Sequence, residues 1–238
     1  MFGEIKLSAR RALLGEELRV FPGTLALMFS FIFFSLFCGM LTLIPRKLPD
    51  EILAGAAAAS VPAALLVISS IRHKMQIKYL ILYSGSRERA VIGIADALNA
   101  ALLDAMLFFI KLFYYAAFEA IPAFAAFALL DRLKREPMSL RACIAIACGI
   151  CAAAITGFLF AFVAVQKFSR AGFCLAAFDA APLKAIKCSI RKTKGKLLAT
   201  AVFKAGFLPW LLLCAAGLPA LWIIPYYKTS LTGFCIEC

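Results

Sequence analysis

The sequence predicts an all-α fold, a polytopic transmembrane helical bundle of five or six spans with amphipathic interfacial helices, on three observations. Hydrophobic residues make up 64% of the 238 and charged residues only 16%, against about 45–50% and about 25% in an ordinary soluble domain. Apolar runs of about twenty residues or more recur along the chain, each able to cross a hydrocarbon layer of about 30 Å at 1.5 Å per residue. Lysine and arginine collect between those runs: 17 of the 26 sit in residues 1–21, 72–89 and 166–196. A soluble interior of this size cannot hide so much Ala, Phe, Ile and Leu, so lipid is expected to cover it. Residues 1–238 read as a single integral membrane domain.

Residues 4–19 form the first expected interfacial helix. The paired arginines of "SARRALLGEELR" resemble a targeting signal, but the apolar run starts ten residues later and no small-x-small cleavage site follows it. That run, 22–44, carries no charge and reads as a retained first span, stopped by Pro45 and the "RKLPDE" turn. The second span, 52–71, is rich in alanine. Gly55, Ala59, Ser60 and Ala63 permit close approach of a neighbouring helix, and Pro62 predicts a kink. Residues 72–89 are basic and end in turn chemistry at Ser84-Gly85-Ser86.

The run from 90 to 130 would be about 60 Å long as one helix. Its first part carries Asp96, Asn99 and Asp104 at near-helical spacing, which predicts an amphipathic helix over 90–106 and a crossing over 107–130. After the "DRLKREPMSLR" loop comes a span over 143–165, then an interfacial helix over 176–194. The last apolar stretch is broken by Lys204, Gly206, Pro209, Gly217, Pro219 and Pro225. It divides into short spans at 197–216 and 218–234, with the break near Gly217-Leu218-Pro219. The three basic segments alternate onto one side, which the positive-inside tendency makes cytoplasmic together with the N-terminus. Six crossings bring the C-terminus to the same side; five leave it outside.

Lys111, Glu119 and Lys204 stand out among the ionisable residues that interrupt the apolar spans. Lys111 lies near the cytoplasmic end of its span, where it can snorkel. Glu119 sits mid-span, where a carboxylate costs at least about 2.5 kcal/mol unless protonated, paired or facing water. Lys204 is its candidate partner. A structural pair, a polar cavity and a catalytic carboxylate all remain open for Glu119. In "PLKAIKCSIRKTKGK", Lys184, Lys187, Arg191 and Lys194 recur at helical spacing, with Leu183, Ile186 and Ile190 on another face. That pattern predicts a basic amphipathic helix beside the cytoplasmic leaflet, and these four residues are candidates for binding anionic headgroups.

Other chemistries find little support. The net charge of +13 is accounted for by the segments flanking the spans, and no aromatic-basic nucleic-acid motif or zinc-finger spacing occurs. Of the nine cysteines, Cys38, Cys143, Cys148, Cys151 and Cys214 fall in apolar runs as small hydrophobes. The C-x-x-C spacings at Cys148–Cys151 and Cys235–Cys238 lack further ligands, since the single histidine, His73, is elsewhere and a structural zinc wants four. No metal or cofactor is expected. Neither G-x-S-x-G, H-E-x-x-H nor a Walker-type loop is present, so the chain does not read as an enzyme.

The C-terminal third carries a resemblance. "PLKAIKCSIRKTKGK", then "FLPW", then "LPALWIIPYYKTSLTGF" resembles the closing module of a group of bacterial membrane proteins, common in Firmicutes, defined by a domain of unknown function (nine-seven-five). It is more distantly similar to the membrane domain of some glycerophosphodiester phosphodiesterases. Ser189, Gly195, Trp210, Pro225, Tyr226, Thr229 and Phe234 would stand at that family's motif positions, and "IKLSARRALLGE" resembles its N-terminal helix. The usual Ile-Pro-Gly element is replaced by "FAFVAVQKFSR", and Cys235 stands where a Tyr is usual. The resemblance implies a multi-pass protein of the bacterial cell membrane and brings no activity with it. The expected partner is the bilayer, with anionic phospholipid at the basic face, and homo- or hetero-oligomers both fit. The expected role is a non-enzymatic accessory or lipid-interacting protein. The alternative is a small-solute transporter or channel subunit using Glu119 and Lys204 in a polar path.

Overall fold

The computed structural model describes residues 2–43, 50–85, 93–135, 139–214, 217 and 219–237. Most of the "RKLPDE" turn, Ser86 of the expected turn, residues 90–92, the "EPM" of the next loop, Leu218 and Cys238 lie outside the described residues. Among those described, every regular element is a helix: α1 (Phe2–Leu13), α2 (Glu17–Leu43), α3 (Asp50–Ser84), α4 (Ile94–Arg135), α5 (Leu140–Val165), α6 (Ala171–Phe178), α7 (Pro182–Thr193), α8 (Leu197–Ala205), α9 (Leu208–Leu213) and α10 (Ala220–Glu237). A single 3-10 turn, Gln166–Phe168, joins α5 to α6.

Three stretches are long and apolar enough to cross a membrane: Val20–Phe37 in α2, Ile94–Arg132 in α4, and Arg141–Phe178 beginning in α5. The helices α2 to α5 pack each on the next, and α10 returns to lie against α1, α2 and α3. Local chemistry sets several ends. Asp96 accepts from the Gly93 N–H at 2.9 Å, the N3 half of a capping box on α4. Ser139 caps α5 by accepting from the Ala142 N–H at 3.4 Å. Pro182 opens α7, where its missing N–H costs nothing.

The boundaries differ from the expected ones in instructive ways. Residues 94–106 do not form a separate interfacial helix; they are the first turns of α4, which runs 42 residues, about 63 Å. "ALNAALLDAML" contains no breaker, and its polar face meets α3 instead of lipid headgroups: Asp104 takes a hydrogen bond from Ser69 at 2.8 Å and an ion pair from Arg72 at 3.1 Å. Likewise α3 runs on past Ile71 to Ser84, through the basic segment and through Pro62. The expected helix over 4–19 is two helices, parted at Gly15 with φ +86°. The one over 176–194 is also two, α6 and α7, with Asp179 in the left-handed region between them. In the 197–216 stretch, an additional break at Gly206-Phe207 separates α8 from α9.

The buried side chains collect toward one end of the bundle. Ala100, Leu103 and Leu107 of α4 pack with Phe173, Cys174 and Leu175 of α6, Ala185 and Ile186 of α7 and Cys235 of α10. Ile5, Phe203, Phe207 and Phe234 form a second cluster; Leu13, Val20, Met75 and Tyr79 form a third.

Candidate functional site

The basic segment folds so that its cations stand together on the outside. On α7 the buried residues are Pro182, Ala185, Ile186, Ser189 and Thr193, an i, i+3, i+4, i+7, i+11 stripe. The Ser189 hydroxyl donates to the Lys167 carbonyl at 2.8 Å and accepts from the Arg170 N–H at 3.1 Å, which ties α7 to the 3-10 turn. Thr193 donates to the Ser189 carbonyl at 2.7 Å. Gly195, at φ +79°, then turns the chain into α8, a conformation that side-chain-bearing residues adopt at a cost. Ser189 and Gly195 thus have architectural roles.

The outer face of α7, the turn at Lys194 and the start of α8 enclose a groove of about 450 Å³ lined by Lys167, Lys187, Ile190, Arg191, Thr193, Lys194 and Leu197. No carboxylate lines it. Three of the four expected headgroup residues, Lys187, Arg191 and Lys194, meet there. Lys184 is exposed on the same helix, one turn earlier, and does not line the groove. Lys167 is the member that sequence reasoning left out. Its signal was available, since it is the first basic residue after the α5 run. Its ammonium donates to the Tyr114 hydroxyl and lies 4.3 Å from that ring's centroid, a cation–π contact. The apolar side of α7 also differs from expectation: Ile186 is buried, whereas Leu183 and Ile190 are 61% and 41% exposed beside the cations.

Pro225, Tyr226, Thr229 and Phe234 form a seam between α10 and its neighbours. Phe234 stacks on Phe203 at 4.6 Å, Tyr226 meets Phe207 at 5.6 Å, and Pro225 and Thr229 are buried. Trp210, on α9, faces outward.

The intramembrane polar residues are arranged otherwise than their charges suggest. Glu119 is half-buried where α4 meets α5, its Oε1 3.5 Å from the place a Cβ on Gly157 would occupy. It makes no ion pair among the described residues. Lys204 has Lys111 and Lys228 as its charged neighbours, so it lies near the level of Lys111. Glu119 is eight residues further along α4, roughly 12 Å. The structure does not bring Glu119 and Lys204 together. Among the described residues no group of three or more His, Cys, Asp or Glu side chains is placed to hold a metal ion.

Comparison of the chain with protein-family models, curated proteins and solved structures returned no match.

Proposed function

We propose that the chain is a multi-pass protein of the bacterial cell membrane, with five or six crossings and a cytoplasmic N-terminus, that engages anionic phospholipid through its basic face and performs no catalysis itself. The observation that carries this reading is the groove at α7. Lys187, Arg191 and Lys194 converge there without a carboxylate, and Leu183 and Ile190 stay exposed alongside them. Cations interleaved with outward apolar side chains are what a helix lying at a headgroup layer presents. Each basic group near an anionic surface contributes about 1 kcal/mol. The resemblance to the bacterial family supports the same location.

The test is native mass spectrometry of the protein released from its own membrane, wild type against the triple variant K187Q/R191Q/K194Q. Anionic phospholipid retained by the wild type and lost from the variant is the expected result. Equal retention by both would overturn it. The transporter reading keeps the half-buried lysines of α8 and α10, Lys204 and Lys228, and loses its Glu119–Lys204 pair.

A further inference from the structure

A second, smaller cavity of about 60 Å³ is lined by Ser69, Arg72, His73 and Gln76 of α3, Asp104 of α4 and Lys228 of α10, among apolar neighbours. It is separate from the α7 groove and shares no residue with it. At about 10–15 Å³ per water, it has room for a few waters or one small polyatomic group.

The charges around it do not balance. Asp104 is fully engaged: Arg72 Nη2 sits 3.1 Å from Oδ1, and the Ser69 hydroxyl donates to Oδ2 at 2.8 Å. Lys228, half-buried, lines the same cavity and makes no ion pair among the described residues. The wall therefore carries Arg72 and Lys228 against the one carboxylate of Asp104. A surplus cation in a partly desolvated site is satisfied by losing its proton or by taking up an anion. Arginine does not give up its proton in proteins, and Arg72 is half-exposed at the edge of the cavity, which leaves a way in.

We propose that this cavity is an anion site for a phosphate group, with Lys228 and Arg72 as its direct contacts. Arg and Lys together are the residue pair suited to that charge and shape. The phosphate arrives either as the free inorganic ion or on a phospholipid headgroup. This inference does not rest on the α7 groove.

The experiment uses the full chain in a synthetic detergent after lipid exchange. Thermal unfolding is followed against inorganic phosphate, with chloride at matched ionic strength as control. Phosphate is expected to stabilise the wild type beyond chloride. Affinity should fall about tenfold or more in K228Q, as for loss of one charged hydrogen-bond partner, and return in K228R. In D104N, which removes the competing carboxylate, phosphate should bind more tightly. If K228Q does not fold, D104N against the wild type carries the test, and unchanged or weaker binding there overturns the site. Native mass spectrometry separates the two sources. A phospholipid retained by the wild type and lost in K228Q assigns the phosphate to a headgroup; phosphate binding without retained lipid assigns it to the free ion. Phosphate acting no more strongly than chloride, with no lipid lost in K228Q, overturns the proposal. So does phosphate stabilisation that K187Q/R191Q/K194Q abolishes and K228Q leaves intact.

Discussion

The α4–α5 pair and the basic end of the bundle are built from the same residue type put to opposite uses. Along α4, Phe113, Phe124 and Phe127 point outward, and α4 and α5 approach through Gly157, where a Cβ would stand 2.9 Å from the Phe118 carbonyl oxygen. At the basic end, Phe203, Phe207 and Phe234 are buried against Ile5, with Phe2 edge-on at 5.6 Å from Phe203. The difference is one of packing. Between α4 and α5 the helices close on Gly157, with ring contacts at Tyr115–Phe158 and Phe118–Phe160. At the basic end the rings pack on one another and on Ile5, so each buried ring has many neighbours to lose.

Substitutions at matched residue types sharpen this contrast. The largest effect is expected at the aromatic cluster: Phe234→Ala should cost about 3–5 kcal/mol. Phe113→Ala, on an outward face, should stay within about 0.5 kcal/mol. Unfolding by denaturant in matched micelles measures both, and equal losses would dissolve the distinction. A middle-sized effect is expected at the close approach. Gly157→Ala forces α4 and α5 apart, at about 1–3 kcal/mol, because the obstructing atom is backbone. Gly149→Ala, whose Cβ meets nothing within 4 Å, should be neutral or slightly stabilising, since alanine is the better helix former.

The smallest effect belongs to His73, on α3 beyond the expected span. Burial lowers its pKa from the ordinary 6.5, opposed by Asp96, Asp179 and Asp104. The unfolded chain therefore takes up the proton first as pH falls. The stability contributed by neutral His73 is present above about pH 6.5 and is lost as pH drops through the depressed folded value. The midpoint of unfolding should decline from neutral toward mildly acidic pH, and less so in His73→Gln. An identical decline in both would assign the effect to another group.

The membrane class, the apolar runs of α2, α4 and α5 and the basic face of α7 could all be read from residue pattern, because each is a local property. What could not be read is which polar residues meet. Asp96, Asn99 and Asp104 have the spacing of an interfacial helix, and nothing nearby reveals that Asp104 finds Ser69 and Arg72 on another helix. Charge sign and position within an apolar stretch suggest pairing Glu119 with Lys204, but neither fixes depth along the bundle. Lys228, in "PYYKTS", falls inside the expected 218–234 span, and its neighbours on α3 appear only once α10 is folded back. Ser189 stands out in the basic segment, but its two hydrogen bonds need the fold to become visible.

The length of α4 has a mechanical consequence. At 42 residues, or about 63 Å, it is about twice the thickness of the hydrocarbon layer. A long helix adjusts to a thinner or thicker bilayer by tilting. The first turns of α4, residues 94–106, then act as an arm of about 20 Å, and a tilt change of about 10° moves its tip by roughly 3–4 Å. Ala100 and Leu103 lie partway along that arm, packed against α6 and α7, so a smaller share of any such tilt would press on the helices that bear the cations.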